Sequence, residues 1–470
     1  MKGKLIASIE EAIKVCGLKD GMTVSFHHHL RDGDQVLPMV MATIKKMGFR
    51  DIKVSASSIH NSHGCLAPLI EEGVVTGIDT NFLHRCVGET VSRGAMAEPA
   101  IIRTHGHRPR ALETGEIGID IAFIAASAAD NRGNMNGVDG PSAFGSMGHA
   151  FADAQHAKKV VCVTDYLVEY PLAPVSIDET WVDYVVKVDS IGDTSGINSG
   201  ITTVSRDPVG LHIAKTAVSV IEASGILKDG FVYQTGGGRT SLATTKFMKD
   251  AMKRNKVTGR FILGGINSLF VELLEEGYFE NILDCQCFDP IAAASLKNNP
   301  RHQEISCSRY ANFGGKSCAA AQLDTVMLGA TEIDTNFNVN VHTDSSGVIM
   351  GGSGGHSDIA FGAKITVIVT PLMRARSAIV VDKVTNLSTP GECVDILVTQ
   401  RGIAVNPKRG DLKDALTAGG FPVKDIHELR DMAKKLTGEP KPLVRGEKVV
   451  AKIVGQKGMV IDEIRQVVGR

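Results

Sequence analysis

The stretch LKDGMTVSF (residues 18–26) recurs later in the chain as LKDGFVYQT (residues 227–235), at an offset of 209 residues. Two more pairs follow in the same order: APLIEEGVV (67–75) matches VELLEEGYF (271–279) at an offset of 204, and AKKVVCVTD (157–165) matches AKITVIVTP (363–371) at an offset of 206. Ordered matches at a nearly constant offset indicate that the chain is internally duplicated. Two copies of this length exclude a solenoid, whose repeats span about 20–50 residues.

Helical and strand patterns alternate within each half. A capping-box signal that starts at Ser8 predicts a first helix. Strands are predicted over Met22–Phe26 and Ile52–Ser55, with a helix over Val36–Met47 between them. Later runs such as Lys364–Thr370 are β-branched and apolar, which is typical of buried parallel strands. The alternation predicts an α/β fold with one open parallel sheet in each half.

We expect a first domain over residues 1–205, a second domain over residues 206–396, and a small C-terminal segment over residues 397–470. The junction between the two halves is predicted within residues 198–208. The C-terminal segment contains two amphipathic helical patterns and ends in a strand pair that turns at Gly455. We expect this segment to pack on the second domain.

The charge and composition exclude several classes of function. The 470 residues carry 51 Lys and Arg against 52 Asp and Glu, so the formal net charge is −1. This balance argues against a chain that wraps nucleic acid or lies on an acidic membrane. The longest apolar run, Ile121–Ala129, is shorter than the roughly 20 residues of a membrane helix. Nine cysteines, an odd number, and the lack of a signal-peptide core predict a cytoplasmic protein with reduced thiols.

The strongest local motif is GGSGGH, Gly351–His356. Consecutive glycines allow backbone N–H groups to converge on an anion or a developing oxyanion. A glycine-rich turn without a ligand is the alternative. The motif also fits G-x-S-x-G with Ser353 as the formal nucleophile, but no partner acid and base are identifiable, which disfavours a serine hydrolase.

A second glycine loop, Gly236–Gly238, precedes Arg239 at a predicted strand-to-helix junction. The matching position in the first half is the run from His27 to Arg31. Both loops therefore carry a cation just before a helix. This arrangement favours binding of a carboxylate or phosphate by a guanidinium group together with a helix N-terminus. A solvated surface arginine is the alternative for Arg239.

Other phosphate-binding and metal-binding patterns are incomplete. Gly314–Ser317 resembles the end of a phosphate loop, but the first glycine of that motif would fall at Tyr310. No G-x-G-x-x-G fingerprint follows the first strand, which counts against nicotinamide cofactors. Three histidines and two cysteines are the remaining candidate metal ligands: His60, His63, Cys65, His84 and Cys86. Their spacing is not that of a zinc site, and we expect no metal at these residues.

Two asparagine-rich segments, Asp130–Gly137 and Asp334–Asn338, follow predicted strands at equivalent places in the two halves. Asparagine and aspartate favour turns, so turn chemistry is one interpretation. The equivalent placement supports a second interpretation, in which Asn134, Asn136 and Asn338 line a ligand site.

Five segments resemble a known family: SFHHHLRDGD (25–34), TEIDTNFNVNV (331–341), GGSGGHSDIA (351–360), CVDILVTQRGIAVNP (393–407) and VIDEIRQVV (460–468). From about Leu5 to Val468, the chain resembles the α subunit of citrate lyase. The resemblance implies two fused CoA-transferase-like domains. It also implies transfer of an acyl-carrier-protein or CoA thioester from acetyl to citrate, which gives citryl thioester and acetate in citrate fermentation.

The same resemblance implies partners and substrates. A β subunit would cleave the citryl thioester, and a γ subunit, an acyl carrier protein, would carry a CoA-like prosthetic group within a multi-subunit oligomer. Citrate, acetate and CoA thioesters such as acetyl-CoA would be the small molecules, with no cofactor bound covalently to this chain. A sister enzyme acting on citramalate or on free CoA, and a non-catalytic scaffold for lyase subunits, are the alternatives.

Many members of the wider CoA-transferase superfamily use a glutamate as a covalent nucleophile. Counting back from the segment Leu273–Gly277, which resembles one in that superfamily, places this position at Gly264. Glycine cannot act as a nucleophile. The resemblance therefore predicts direct attack of a citrate carboxylate on the acetyl thioester, through a mixed anhydride, with room for citrate beside Gly264.

Roles for the other candidate residues follow from this mechanism. We expect the N–H groups of Gly352, Gly354 and Gly355 to bind the thioester oxygen. We expect Arg31, Arg239 and His29 to bind the citrate carboxylates. Asn134, Asn136 and Asn338 could bind the carboxylates or, instead, the pantetheine arm.

Overall fold

The structure is a computed structural model that describes residues 3–198, 204–439 and 443–468. The predicted junction at residues 198–208 and the outer ends of the first and last predicted domains lie partly outside the described residues. Strands and helices alternate through both halves, as the hydrophobic patterns predict.

The strands, numbered in chain order, are β1 (Leu5–Ile6), β2 (Thr23–Phe26), β3 (Ile52–Ala56), β4 (Val75–Thr80), β5 (Ala100–Ile102), β6 (Ile121–Ala126), β7 (Ala128–Asp130), β8 (Met135–Asn136), β9 (Lys159–Thr164), β10 (Leu167–Val168), β11 (Tyr184–Lys187), β12 (Phe231–Thr235), β13 (Gly259–Ile266), β14 (Phe279–Cys287), β15 (His302–Glu304), β16 (Thr325–Leu328), β17 (Glu332–Asp334), β18 (Val339–Asn340), β19 (Ile365–Val369), β20 (Met373–Arg374), β21 (Ser377–Ala378), β22 (Val380–Val381), β23 (Ile396–Thr399), β24 (Gly402–Val405), β25 (Val423–Lys424), β26 (Arg445–Val454) and β27 (Val460–Val467).

The α-helices are α1 (Ile9–Val15), α2 (Val36–Lys46), α3 (Leu66–Glu71), α4 (Arg85–Ser92), α5 (His107–Glu113), α6 (Phe151–His156), α7 (Pro208–Ala223), α8 (Arg239–Asn255), α9 (Ser268–Glu275), α10 (Pro290–Asn298), α11 (Cys307–Ala311), α12 (His356–Gly362), α13 (Gly410–Ala418) and α14 (Ile426–Thr437).

Two large sheets organise the chain. The first has ten strands in the order β1-β11-β9-β6-β2-β3-β4-β5-β26-β27, and the second has nine in the order β15-β14-β13-β12-β16-β19-β23-β24-β25. All neighbours in these sheets are parallel except the pairs β26–β27 and β23–β24. The predicted α/β class with parallel sheets is therefore confirmed.

The two sheets share one strand order. From β11 to β5, the first sheet reads β11-β9-β6-β2-β3-β4-β5, and the reversed second sheet reads β23-β19-β16-β12-β13-β14-β15. Of these seven strands, the earliest in the chain is β2 in the first sheet and β12 in the second, and each lies in the middle of the matched order. The later strands are added outwards on both sides of it. Parallel strands joined by helices place their carboxyl ends on one edge, where ligand-binding loops of α/β proteins collect.

Local signals explain where the elements begin and end. The Ser8 hydroxyl accepts a hydrogen bond from the N–H of Glu11 and caps α1. The run IAFIAA forms β6, in which all six residues are buried, as a central parallel strand requires. The strand predicted over Lys364–Thr370 is one residue shorter at each end in the structure, where it is β19, and the helix predicted over Val36–Met47 ends one residue earlier, at Lys46.

The C-terminal segment divides between the two sheets. Its first part, with β24 and β25, belongs to the second sheet. The final hairpin, β26 and β27, instead extends the first sheet, because β26 pairs with β5 through Ala451 and Ala100. The prediction that the whole segment packs on the second domain is therefore wrong for the hairpin. The physical reason is that β5 would otherwise be an edge strand with unpaired backbone groups.

The two halves meet at the carboxyl ends of their strands. Thr104, which follows β5, forms an isolated bridge with Gly354 of the second half. A Cβ atom on Gly106 would lie 1.8 Å from the carbonyl oxygen of Ala311, so the backbones touch there in a way that only glycine permits. Loops from both halves are thereby held in one place. None of the helices in the described parts of the chain is long and apolar enough to cross a membrane.

Candidate active site

The Gly351–Gly355 loop of the second half lies directly on loops of the first half. The Gly351 carbonyl accepts a hydrogen bond from the N–H of Leu83, and the Gly354 carbonyl accepts one from the N–H of His105 at 2.9 Å. A Cβ atom on Gly352 would lie 2.2 Å from the Asn81 carbonyl oxygen. The glycines thus allow close backbone approach between the halves.

This packing changes the prediction for the oxyanion donors. The N–H of Gly354 donates to the Asn81 carbonyl at 3.2 Å and is therefore not free for a thioester oxygen. Within the described chain, the N–H groups of Gly352 and Gly355 have no protein acceptor. Two of the three predicted donors therefore remain available, because the third is needed to join the halves.

Arg31 is the main buried cation of the site. Its guanidinium group packs over the Phe288 ring at 4.8 Å, and its Nε and Nη1 atoms have no hydrogen-bond partner among the described residues. Burial lowers the pKa of Arg31 to about 10, so the group stays charged at neutral pH. A buried guanidinium without a carboxylate partner is costly unless an anion completes the site.

The backbone of Arg31 is strained in a way that serves this placement. Its φ is +52°, in the left-handed region that L-residues with side chains rarely adopt. The Arg31 N–H donates to the His28 carbonyl, and the Arg31 carbonyl accepts from the Ser62 hydroxyl. These bonds hold the strained turn, and strain of this kind clusters at ligand-binding sites.

His29 lies close to Arg31 along the same loop and is also unsatisfied. Both ring nitrogens of His29 are buried without a partner in the described chain, and its ring stacks on Phe144 at 4.7 Å. Burial holds the pKa of His29 well below its usual range, so the imidazole is neutral. A neutral ring still offers one N–H donor, which suits a carboxylate already held by a guanidinium group.

A cluster of four more histidines lies beside this loop. The ring of His28 packs against those of His60, His105 and His149, with centroids 5.2, 6.2 and 4.7 Å away. The Nδ1 atom of His28 lies 2.7 Å from the Ser57 hydroxyl. Burial, with further contributions from neighbouring imidazole and guanidinium groups, lowers the pKa values of all four, that of His105 to about 3. The cluster is therefore neutral.

The metal candidates considered from the sequence hold loops instead. His63 Nε2 lies 3.1 Å from Asp34 Oδ2, and its Nδ1 accepts from the backbone N–H of His60. His84 Nδ1 accepts from the N–H of Cys86 at the start of α4. These three ring nitrogens have protein partners, and the expectation of no metal at these positions stays a prediction.

Gly264 lies beside a glutamine rather than an open space. Its φ is +108°, and a Cβ atom there would lie 2.3 Å from the Gln234 Nε2 atom. The same amide donates to the Tyr310 hydroxyl at 2.9 Å, and that hydroxyl would lie 2.4 Å from a Cβ atom on Gly355. The expectation of free room beside Gly264 is therefore wrong, because Gln234 fills it. The structure does bring Gly264 and Gly355 together around the Gln234–Tyr310 pair.

Asp358, which follows the glycine loop, is a site residue that the sequence analysis missed. Its Oδ2 accepts the N–H of Gly106 at 2.8 Å, and its Oδ1 is buried without a partner in the described chain. Burial raises its pKa to about 7, so a protonated carboxyl group can donate a hydrogen bond near neutral pH. Its position inside GGSGGHSDIA was visible, but the pattern gave no sign of its burial. Tyr310 and Gln234 had no sequence signal of their own.

Arg239 differs from Arg31 in its environment. It begins α8 and is exposed, whereas Arg31 is buried. This exposure is what the alternative interpretation of Arg239, a solvated surface arginine, would give, and its ligand role stays a prediction. The difference arises because Arg31 is enclosed by Phe288 of the other half, and the Gly236–Gly238 loop leaves Arg239 open to solvent.

The asparagines have structural roles, which corrects the ligand interpretation. The Asn134 amide donates to Asp130 and Glu179, and the Asn136 amide donates to Asp139 and the Pro174 carbonyl. The side-chain oxygens of both accept backbone N–H groups.

Asn338 repeats this arrangement in the second half, where its amide donates to Asp334 and its oxygen accepts the N–H of Gly391. Turn chemistry therefore accounts for all three asparagines.

Among the described residues, no hydrogen bond joins the Ser353 hydroxyl to an imidazole or a carboxylate group. The ring of His342 accepts the backbone N–H of Ser353 at 3.3 Å, and its other nitrogen lies by the Ser388 hydroxyl. The nearby imidazole therefore does not serve as a base for the Ser353 hydroxyl.

Comparisons with known proteins point to one family. Residues 2–467 match the family described as citrate lyase, alpha subunit. The chain is 47% identical over 464 residues to the citrate lyase alpha chain of Escherichia coli (strain K12). The matched region covers 99% of this chain and 91% of that protein. The alpha chain of Klebsiella pneumoniae matches with the same identity and coverage.

Solved structures agree with these sequence matches. An alpha subunit of citrate lyase from Streptococcus mutans, in complex with citrate, has a TM-score of 0.97 and 48% identity, with 100% of this chain and 92% of that chain covered. The alpha subunit of a malonate decarboxylase from Acinetobacter baumannii has a TM-score of 0.66 at 15% identity, covering 94% of this chain and 96% of that chain. The latter shows a shared fold.

The neutral histidine cluster predicts a pH dependence of stability. Because the pKa of each buried imidazole is lowered by folding, the unfolded chain binds more protons below about pH 6.5. Stability is therefore fully present above that pH and is lost as the pH falls, by about 1.4 kcal/mol per pH unit for each such imidazole. Urea unfolding of the wild type and of His105→Gln at a series of pH values checks this. The variant should show the shallower loss.

His427 provides the control for this experiment, because it is exposed. The His427→Gln variant should follow the wild-type pH dependence. An equal slope in the wild type and in His105→Gln would contradict the assignment of His105 as a buried neutral group.

Proposed function

The chain belongs to the family of citrate lyase alpha subunits, and from this premise we propose that it transfers an acyl-carrier-protein or CoA thioester from acetyl to citrate. The products are citryl thioester and acetate. The observation that carries the proposal is the buried Arg31 guanidinium, whose Nε and Nη1 donors have no partner in the described chain, in the same loop as His29, whose ring nitrogens also have none there. The citrate bound to the related Streptococcus mutans protein supports the choice of substrate.

Arg31 and His29 would hold citrate carboxylates. The guanidinium group supplies charge and two donors in a fixed plane, and the neutral imidazole supplies a third donor. Citrate would thereby be oriented with one carboxylate free to react, so that binding also positions the nucleophile. Arg239, which is exposed, would contribute at most to attraction of the anion towards the site.

The reaction would proceed through a mixed anhydride. A carboxylate oxygen of citrate attacks the acetyl thioester carbonyl, the carbon–sulfur bond breaks, and the thiolate leaves with the electron pair. The same thiolate then attacks the citryl carbonyl of the anhydride and expels acetate. The count from Leu273–Gly277 would place the nucleophilic glutamate of the wider superfamily at Gly264, and this supports a route without a covalent protein intermediate.

The protein's contribution would be electrostatic. The free N–H groups of Gly352 and Gly355 would bind the oxygen that becomes negative when the thioester is attacked. The Gln234–Tyr310 pair lies between Gly264 and Gly355 and would fix the shape of this pocket. Asp358, whose pKa is raised to about 7 by burial, would contribute a protonated donor when the site is desolvated.

The chain would act together with two other subunits, and its two halves would share one origin. A β subunit that cleaves citryl thioester and a γ acyl carrier protein with a CoA-like prosthetic group would be the partners, with no cofactor bound covalently to this chain. The nine free cysteines fit a cytoplasmic location. The common strand order of the two sheets supports an origin by duplication of a CoA-transferase-like domain, with the C-terminal segment as an addition.

Mass spectrometry tests the function directly. Purified chain mixed with acetyl-CoA and citrate should yield citryl-CoA and acetate while the intact protein keeps its mass. A protein heavier by an acyl group or by CoA would contradict direct anhydride transfer. No thioester product would support a scaffold instead, and faster turnover with citramalate than with citrate would overturn the substrate assignment.

Replacement of Arg31 tests the carboxylate site. Arg31→Gln removes a buried charge-assisted interaction, so the KM for citrate should rise by about 100-fold, equivalent to about 3 kcal/mol. Steady-state kinetics of citryl-CoA formation measures this. Arg50→Gln is the control, because Arg50 is exposed just before β3, at the opposite end of the strands. An unchanged KM in Arg31→Gln would exclude Arg31 as the citrate ligand.

Replacement of Gly264 tests the Gln234–Tyr310 pair. In Gly264→Ala the new Cβ would collide with Gln234 and displace it, so kcat should fall by about tenfold or more. Gly225→Ala is a matched control, because Gly225 also has positive φ (+72°) but has no atom within 4 Å of the added Cβ. Both variants carry the backbone strain. A similar kcat in the two would show that the Gln234 contact is unimportant.

A further inference from the structure

One histidine of the neutral cluster and two cysteines form a group of potential metal ligands that the proposed reaction does not use. His149, Cys285 and Cys307 are all buried, and their Nδ1 or Nε2 and Sγ atoms lie within 4.8 Å of one another. The Cys307 Sγ atom lies 3.1 Å from His149 Nδ1. The three residues come from the loop before α6, from β14 and from the first turn of α11.

The backbone brings these three segments together at Gly148. A Cβ atom on Gly148 would lie 2.4 Å from the Ile305 carbonyl oxygen and 2.6 Å from that of Cys285. The Gly148 carbonyl accepts the N–H of Cys307 at 2.9 Å. The cluster is thus built by main-chain contacts between the halves, and its side chains do not depend on flexible surface loops for their positions.

We propose that His149, Cys285 and Cys307 bind one divalent transition-metal ion of the zinc class. Two thiolates and one imidazole are ligands that zinc prefers, and the absence of a carboxylate from the set disfavours magnesium and calcium. Three protein ligands leave a fourth position for water or another small ligand. This inference is independent of the proposed transferase function.

The distances suit a tetrahedral ion. Zinc bonds of about 2.3 Å to sulfur and about 2.0–2.1 Å to nitrogen place a sulfur and a nitrogen ligand about 3.5 Å apart, and two sulfurs about 3.8 Å apart. The observed 3.1 Å between Cys307 Sγ and His149 Nδ1 differs by a few tenths of an ångström. The other two separations are below 4.8 Å, so coordination would require side-chain rotations that bring all three ligand atoms to these distances.

The charges also balance. Cysteine binds zinc as a thiolate and histidine as a neutral imidazole, so a doubly charged cation with these three ligands has no net charge, which a dry site tolerates.

A second cluster provides an internal comparison. Asp284, Cys287 and His302 also have ligand atoms within 4.8 Å of one another. There, however, one carboxylate oxygen of Asp284 is already bonded to both partners, at 2.9 Å to Cys287 Sγ and 3.0 Å to His302 Nε2. A hydrogen-bonded carboxylate at the centre makes this set the weaker candidate.

Cobalt titration of the full-length reduced chain tests the proposal. Co²⁺ added to metal-free protein without oxygen should give a sulfur-to-cobalt charge-transfer band and the visible bands of a tetrahedral ion, saturating at one ion per chain. Zn²⁺ should displace the Co²⁺. X-ray absorption at the zinc edge of the wild type should show two sulfur ligands at about 2.3 Å. This last readout needs no variant.

Variants then assign the ligands. Cys307→Ser and Cys285→Ser should each weaken Co²⁺ binding by more than about 100-fold. Cys393→Ser and His156→Gln are matched controls, since Cys393 is half-buried elsewhere and His156 is exposed, and both should bind as the wild type does. A wild type without sulfur-ligated metal would overturn the proposal. So would a cobalt band that survives Cys307→Ser or is lost in Cys287→Ser.

Discussion

The buried guanidinium of Arg31 is the constraint around which the site is organised. A charge removed from water must recover its hydration energy from partners, and the described residues provide an aromatic ring but no carboxylate in ion-pair contact. The backbone of Arg31 is also strained in the left-handed region, and the ring of His29 has no hydrogen-bond partner among the described residues. A bound anion, as proposed above, would supply the missing partner. The neutral histidine cluster adds no positive charge, so in the proposed site Arg31 would supply the charge that holds the anion, and the neutral ring of His29 would add a donor.

Much of the framework follows from the sequence because its causes are local. The buried apolar runs of β6 and β9 and the Ser8 cap of α1 depend on hydrophobic periodicity and short-range hydrogen bonds. The position of Arg31 before a helix predicts a ligand-binding cation, and its burial accords with this, but its role towards citrate stays a prediction. The duplication stays a prediction, supported by the common strand order.

The details of the candidate site could not be predicted, because they depend on contacts between residues far apart in the chain. Gly354 could not be recognised as a structural donor without its acceptor, Asn81, which lies in the other half. Gln234 fills the space beside Gly264 because β12 and β13 are neighbours, and no local pattern in either strand shows which side chain occupies it. The asparagines were ambiguous for the opposite reason: turn formation and ligand binding select the same residues, and only their hydrogen-bond partners separate the two.

The terminal hairpin has a consequence for how the chain is made. Its strand β26 covers β5, yet β5 emerges from the ribosome long before β26 is synthesised. During translation the first sheet therefore has an uncovered edge, while nearly all of the second half is still being added. The nascent first half should depend on chaperones over this interval, and a messenger truncated before the hairpin codons should yield a product whose open edge recruits other strands.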